Sequence, residues 1–217
     1  MHPAVKNGSY DVAKIRADFP ALAMSVYGKP LVYLDNAASA QKPQAVLDRL
    51  TKAYTSEYAN VHRGLHFLAN EATEAYEGAR ETARRFINAG RKEEIVFTRN
   101  ATEAVNLVAY TFGRERIKAG DEIVLSIMEH HSNIVSWHFL RERYGAVIKW
   151  APIDDDGNFL VDEFEKLLGP KTKMVAITQM SNALGSPVPI KEVVRLAHAR
   201  GIPVLVDGAQ EIGRAHV

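Results

Sequence analysis

From residue 94 onward the sequence alternates short apolar runs with amphipathic stretches, and that alternation leaves few folds open. The apolar runs predict strands at residues 94–98, 122–127, 146–150, 174–178 and 203–206. The stretches between them predict helices at 101–116, 133–144, 161–168 and 190–200, the last ended by Gly201 as its C-cap. Runs such as Ile123-Val124-Leu125 and Val204-Leu205-Val206 are apolar without interruption, which marks strands covered on both faces. The predicted class is α/β: a mainly parallel sheet with helices on both faces. Right-handed crossovers bring the carboxyl ends of such strands to one rim, outside which open α/β sheets bind ligands.

Upstream, residues 11–19 read as a short helix stopped by Pro20, and residues 31–34 as a short strand. A small-residue turn, Asp35-Asn36-Ala37-Ala38-Ser39-Ala40, leads to a helix from Pro43 to about Tyr58. The polar loop Val61-His62-Arg63-Gly64-Leu65-His66 precedes a long amphipathic helix at 70–87. The 217 residues suit one large domain or one and a half. A formal net charge of +1 gives no footprint for nucleic acid or an anionic membrane. No apolar run reaches the length of a membrane span, and Met1 to Tyr10 has no hydrophobic signal-peptide core, so the expected compartment is the cytoplasm. Cysteine is absent, which removes disulfides and thiol chemistry from this stretch.

The informative residues follow the predicted strands. Asp207 ends the last run beside Gly208 and Ala209, where little covers it; a ligand contact and a plain turn or cap both fit. Asn100 reads as an N-cap with Glu103 as its capping-box partner. The free N–H groups of that helix start, with the Thr102 hydroxyl, form a phosphate site or serve capping alone. Neither G-x-G-x-x-G nor G-x-x-x-x-G-K-[ST] occurs, so dinucleotide and P-loop sites have no support. His130 and His131 fit metal ligation, a ring stacked on a ligand, or a polar loop. Zinc is disfavoured, because no third ligand or H-x-x-x-H spacing accompanies them. Asn182 fits a ligand contact or an Asx-turn, and Gln210 lies just beyond Asp207. Each signal is weak alone; a phosphate cradle, a ring partner and a carboxylate on one rim form a specific combination.

Six segments occur in a particular order: Tyr33-Leu34-Asp35-Asn36-Ala37-Ala38-Ser39-Ala40-Gln41-Lys42-Pro43, His62-Arg63-Gly64-Leu65-His66, Phe97-Thr98-Arg99-Asn100-Ala101-Thr102-Glu103, Glu129-His130-His131-Ser132-Asn133-Ile134-Val135, Ser181-Asn182-Ala183-Leu184-Gly185 and Val206-Asp207-Gly208-Ala209-Gln210. Together they resemble the SUF-type cysteine desulfurases, in the class V branch of the fold-type I pyridoxal-phosphate (PLP) enzymes, from about Tyr10 to Gln210. The resemblance implies PLP as cofactor and the large PLP-binding domain as fold. It implies that Asp207 pairs with the pyridine nitrogen, and that His130 stacks on the ring as a catalytic residue able to move protons. Thr102 would bind the phosphate, and Ala101, where the family often has a second threonine, would keep only its backbone N–H. Gln210 would bond the ring hydroxyl, and Asn182 would lie near the ring and the substrate carboxylate. Ala37 and Ala38 would line the substrate pocket with backbone, and Arg63 and His66 would lie near the active site and a dimer interface.

The implied reaction converts L-cysteine to L-alanine and leaves the sulfur as an enzyme persulfide, which a sulfur-acceptor protein takes on for iron–sulfur cluster assembly. Homodimerisation is implied in the same way. The His62-Arg63-Gly64 and Glu129-His130-His131 segments favour this branch over a selenocysteine lyase, which would take L-selenocysteine, or another class V enzyme. A non-catalytic binding module on the same fold is the reading from another class. Three parts of the family's machinery have no counterpart here: the lysine that holds the cofactor, the cysteine that takes the sulfur and the arginine that binds the substrate carboxylate. The expectation is therefore an inactive N-terminal fragment. Its parts would be a segment with a short helix (1–30), a partial PLP-binding domain (31–210) and a non-native tail (211–217). The tail, Glu211-Ile212-Gly213-Arg214-Ala215-His216-Val217, back-translates to GAG ATC GGA AGA GCA CAC GTC, which reads as a sequencing adapter from its second base.

Overall fold

The computed structural model describes residues 5–6 and 9–210, so the expected tail at 211–217 lies outside the described residues. The chain divides into two compact units between Val96 and Phe97.

In the first unit, β1 (Val5–Lys6) pairs antiparallel with β2 (Ser9–Tyr10). Helix α1 (Val12–Ala17) is capped by Asp11, whose side chain accepts the Lys14 N–H. β3 (Ser25–Val26) and β4 (Lys29–Pro30) form a hairpin, and its turn residues Tyr27 and Gly28 have φ of 53° and 75°. Positive φ at both turn residues is what a two-residue type I′ turn needs. Arg16 donates to the carbonyls of Leu22 (2.7 Å) and Leu31 (2.6 Å) and so ties this segment together. Helix α2 (Gln44–Lys52) runs into a π-turn (Ala53–Glu57). Helix α3 (Phe67–Phe86) starts a turn earlier than the sequence predicts, because His66 caps it by accepting the Ala69 N–H.

Two predicted strands do not form. Residues 31–34 are irregular, with Val32 and Leu34 exposed, and residues 95–98 follow a 3-10 turn (Lys92–Glu94) without joining a sheet. The physical reason is shared: an apolar run offers a face to bury, but a strand also needs a neighbour for its N–H and C=O groups. Among the described residues neither run is paired into a sheet: the Leu31 N–H goes to the Met24 carbonyl (2.9 Å), and the carbonyl of Ile95 is taken by the Arg80 guanidinium.

The second unit is the predicted α/β architecture. Helix α4 (Ala101–Val108) continues through a π-turn (Ala109–Gly113) into α5 (Arg114–Arg116). Then come β5 (Glu122–Ser126), α6 (Ser132–Tyr144), β6 (Val147–Ala151), α7 (Val161–Leu167), β7 (Thr172–Thr178), α8 (Ile190–His198) and β8 (Val204–Asp207). The four strands form one parallel sheet in the order β6-β5-β7-β8. From β5 the chain steps to one side to make β6, then crosses back to make β7 on the other side. The sheet's topological switch point therefore lies between β5 and β7.

Side chains of a strand point alternately to the two faces. Val124, Val175 and Ile177 pack with Phe164 of α7 and with Val193, Leu196 and Ala197 of α8. Ile123, Leu125, Met174 and Ala176 pack with Val105 of α4 and with Trp137 and Leu140 of α6. Ile123, Val124, Leu125, Val175 and Ile177 are fully buried, each worth about 1.5–3 kcal/mol of transfer free energy. At the amino-terminal edge, Glu122 accepts from Lys149 (2.8 Å) and from the Thr172 hydroxyl (3.2 Å), which locks β6, β5 and β7 in register.

Candidate active site

The carboxyl ends of β5, β7 and β8 carry the polar residues of the second unit. Asp207, the last residue of β8, is paired in register with Thr178, the last of β7. It is only 8% exposed, although it sits at the rim. Its Oδ1 accepts the Ala209 N–H (3.0 Å), and no hydrogen bond among the described residues uses Oδ2. Its backbone carbonyl accepts the Gln179 N–H (2.9 Å), which fixes the strand end. A nearly buried carboxylate with one oxygen left over is suited to a cationic N–H of a ligand. Gln210 follows, half-buried, just beyond the strand.

His130 lies exposed in the turn between β5 and α6. Its Nδ1 accepts the Ser132 N–H (3.2 Å) and lies 2.8 Å from the Ser132 hydroxyl. Its Nε2 takes part in no hydrogen bond among the described residues. His131 packs edge-on against it, with ring centroids 6.1 Å apart.

Glu129, immediately before His130, is buried. Its Oε1 accepts from the Ser126 hydroxyl (2.5 Å) and from the Thr178 N–H (3.0 Å), and its Oε2 accepts from Asn133 Nδ2 (2.7 Å). Asn133 in turn accepts the indole N–H of the fully buried Trp137 (2.9 Å). Burial raises the Glu129 carboxyl above the ordinary carboxylate range, and the bonds from Ser126, Thr178 and Asn133 oppose that rise. The sequence gives Glu129 no role by itself. Its signal is a charged residue between an apolar strand and a helix, with a serine three positions before it and an asparagine four after.

After β7, Ser181 rather than Asn182 organises the turn. The Ser181 hydroxyl accepts the N–H groups of Ala183 (3.3 Å) and Leu184 (3.1 Å), so the Asx-turn considered for Asn182 is not made. The Asn182 side chain is exposed and makes no hydrogen bond among the described residues.

Asn100 caps α4 by accepting the Glu103 N–H (2.9 Å). The reciprocal arm of the capping box lands one residue early: Glu103 accepts the Arg99 N–H (2.6 Å) and pairs with its guanidinium (3.2 Å). That hydrogen bonding from Arg99 lowers the Glu103 carboxyl below its ordinary value. The N–H groups of Ala101 and Thr102 are left without an intrahelical acceptor, in an exposed first turn. Ser136 donates to Asn106 (3.0 Å), joining the second turns of α6 and α4. The amino ends of both helices therefore point the same way, toward the rim that β5 feeds into α6.

The other sequence-identified residues belong to the first unit. Ala37 and Ala38 are exposed in a turn closed by N–H groups of Ala38 and Ser39 on the Asp35 carbonyl (3.2 and 3.1 Å). Arg63 is exposed, His66 caps α3, and His62 lies 3.2 Å from Glu77 with φ of 62°. Among the described residues no three of His, Asp and Glu converge as a metal-ligand set. No described helix is long and apolar enough to cross a membrane.

The family model for class V aminotransferases matches residues 32–217. A protein of Mycobacterium leprae named "Probable cysteine desulfurase 1" is 55% identical over 203 residues, covering 94% of this chain and 33% of that protein. A cysteine desulfurase of Synechococcus elongatus is 50% identical over 208 residues, covering 96% of this chain and 33% of that protein. Among solved structures, the apo structure of a cysteine desulfurase from Thermococcus onnurineus superposes with a TM-score of 0.84 at 36% identity, over 92% of this chain and 48% of that one. The chain thus spans a third to a half of the relatives it matches.

Proposed function

This chain belongs to the class V aminotransferase family, and from that premise we propose that the protein carrying it is a PLP-dependent cysteine desulfurase. It converts L-cysteine to L-alanine and passes the sulfur to a cysteine of the enzyme as a persulfide. The observation that carries this reading is Asp207: a carboxylate 8% exposed, at the carboxyl end of a parallel strand, with no hydrogen bond to Oδ2 among the described residues. That is the acceptor a pyridinium N–H asks for. The names of the relatives point the same way.

PLP, when bound, supplies an electron sink for the charge that develops at the substrate Cα. The residues of this chain would hold and orient it. Asp207 would keep the proton on the pyridine nitrogen, and Gln210 would bond the ring hydroxyl. His130 would stack on the ring, and Asn182 would lie near the ring and the substrate carboxylate. The N–H groups of Ala101 and Thr102, with the Thr102 hydroxyl, would hold the phosphate at the positive end of α4. Ala37 and Ala38 would supply backbone to the substrate pocket.

The cofactor-binding lysine, the persulfide cysteine and the substrate-binding arginine lie, on this reading, in sequence outside these 217 residues. The full-length protein works as a homodimer in the cytoplasm and hands sulfur to an acceptor protein for iron–sulfur cluster assembly. Alanine release from L-cysteine tests the proposal. The full-length protein loaded with PLP releases alanine, and the 217-residue polypeptide alone releases none. A loaded full-length protein that releases no alanine would overturn the assignment; release by the polypeptide alone would overturn the fragment reading.

A further inference from the structure

Each neutral imidazole carries one proton, and its partners decide which nitrogen holds it. For His130 one partner is unambiguous. The backbone N–H of Ser132 points at Nδ1 from 3.2 Å, and an amide nitrogen cannot accept a hydrogen bond. Nδ1 must therefore present its lone pair, because a proton there would face the amide proton. The Ser132 hydroxyl, 2.8 Å from the same atom, could donate or accept in isolation, and the amide restricts it to donating. Ser132 is held in place: it is the first residue of α6 and is nearly buried. The turn is closed from the other side by the Asn133 N–H on the His130 carbonyl (2.8 Å).

We infer that Ser132 is a positioning residue that fixes neutral His130 as the tautomer protonated at Nε2, so that its free nitrogen is a hydrogen-bond donor and not a proton acceptor. The tautomer follows from the geometry alone. Its consequence for catalysis rests on the proposed function: the group that removes the substrate Cα proton is not neutral His130, whose only basic nitrogen is already engaged by Ser132.

Long-range 1H–15N correlation of the chain labelled with ring-15N histidine reads the tautomer directly, above the pH at which the imidazole is protonated. His130→Gln assigns the resonance, and the Trp137 indole N–H reports that the fold is intact. The expected result is a pyridine-type shift at Nδ1 and a pyrrole-type shift at Nε2, with the full separation between the two. Ser132→Ala keeps the amide and should keep that order, moving only the Nδ1 line as one bond is lost. The reverse order, or two averaged shifts in the unaltered chain, overturns the inference. Averaging confined to Ser132→Ala overturns the assignment to the amide. None of these readouts depends on desulfurase activity, so failure of the proposed function would leave the tautomer result standing.

Discussion

Replacing Glu129 with glutamine tests the buried network at the rim. The two side chains share one shape, so little changes except hydrogen-bond polarity. Glu129 accepts three bonds and donates none: from Ser126, from the Thr178 N–H and from Asn133 Nδ2. A glutamine that keeps its oxygen toward Ser126 and Thr178 turns its NH2 toward the NH2 of Asn133. If the Asn133 amide turns over to accept, the Trp137 indole N–H loses its acceptor. Either way one donor is left unpaired among buried residues, which costs about 1–3 kcal/mol. Taking ~2 kcal/mol and an m-value near 3 kcal/mol/M, the urea midpoint falls by about 0.7 M. Adding Asn133→Asp restores the pattern, because an aspartate can accept from both the glutamine and the indole; most of the lost midpoint should return. The pH dependence has a definite sign. Burial raises the folded-state carboxyl of Glu129 above its ordinary value of 4.5. The stability this confers relative to the non-titrating glutamine is full below 4.5 and is lost as pH rises through the folded value. The gap between the two midpoints should therefore be widest in acid and narrow toward neutrality. A single variant with the wild-type midpoint, or a double variant no better than the single, would refute the account.

Other changes read other parts of the site. Asp207→Asn in the full-length enzyme should lower kcat for alanine release on the order of 10²-fold, the scale of losing one preorganised electrostatic contact, with the circular dichroism of the fold unchanged. Thr102→Val removes one hydrogen bond to the anionic phosphate at the proposed site, and a PLP titration should show affinity weakened about 10- to 100-fold. Asn100→Ala removes the cap of α4 and should cost ~1 kcal/mol in urea unfolding. On α3, hydrogen bonds from Arg84 and Arg85 hold the Glu81 carboxyl down to about 2. Its favourable contribution is present above 4.5 and is lost as pH falls through about 2; carboxyl 13C shifts across that range give its titration midpoint directly.

The second unit was legible because its strands are both apolar and paired. Ile123-Val124-Leu125 announces burial on two faces, and β5 has a strand on either side and is buried; Val204-Leu205-Val206 announces the same, but among the described residues β8 has a strand on one side only and Val206 is exposed. Residues 31–34 and 95–98 show the same composition without the neighbours, and no local pattern reveals whether a partner strand exists. The start of α3 was hidden for a different reason: histidine is an unusual N-cap, and only the geometry at His66 identifies it. At the rim, the strand ends that deliver Asp207, His130 and Asn182 can be read from the alternation alone. Which of their atoms are already engaged cannot, since that depends on Ser132 beside His130 and on Ser181 beside Asn182.

Glu129 shows why such residues escape a linear reading and why they matter. In an open α/β sheet the ligand crevice lies where strand order reverses, here between β5 and β7. The β5–β7 ladder runs through Val124 and Val175, and beyond it the Thr178 N–H goes not to β5 but to the Glu129 side chain. A carboxylate thus supplies the acceptor that the neighbouring strand no longer offers. The partner is 49 residues away in sequence, so only the fold discloses it. The same side chain holds Ser126 at the end of β5 and Asn133 in the first turn of α6, and His130 is the next residue. The turn that presents His130 is therefore fixed to the end of β7, whose register with β8 places Asp207. His130 and Asp207 thus stand on one hydrogen-bonded frame, and its buried polar cost is concentrated at the switch point, where the sheet opens.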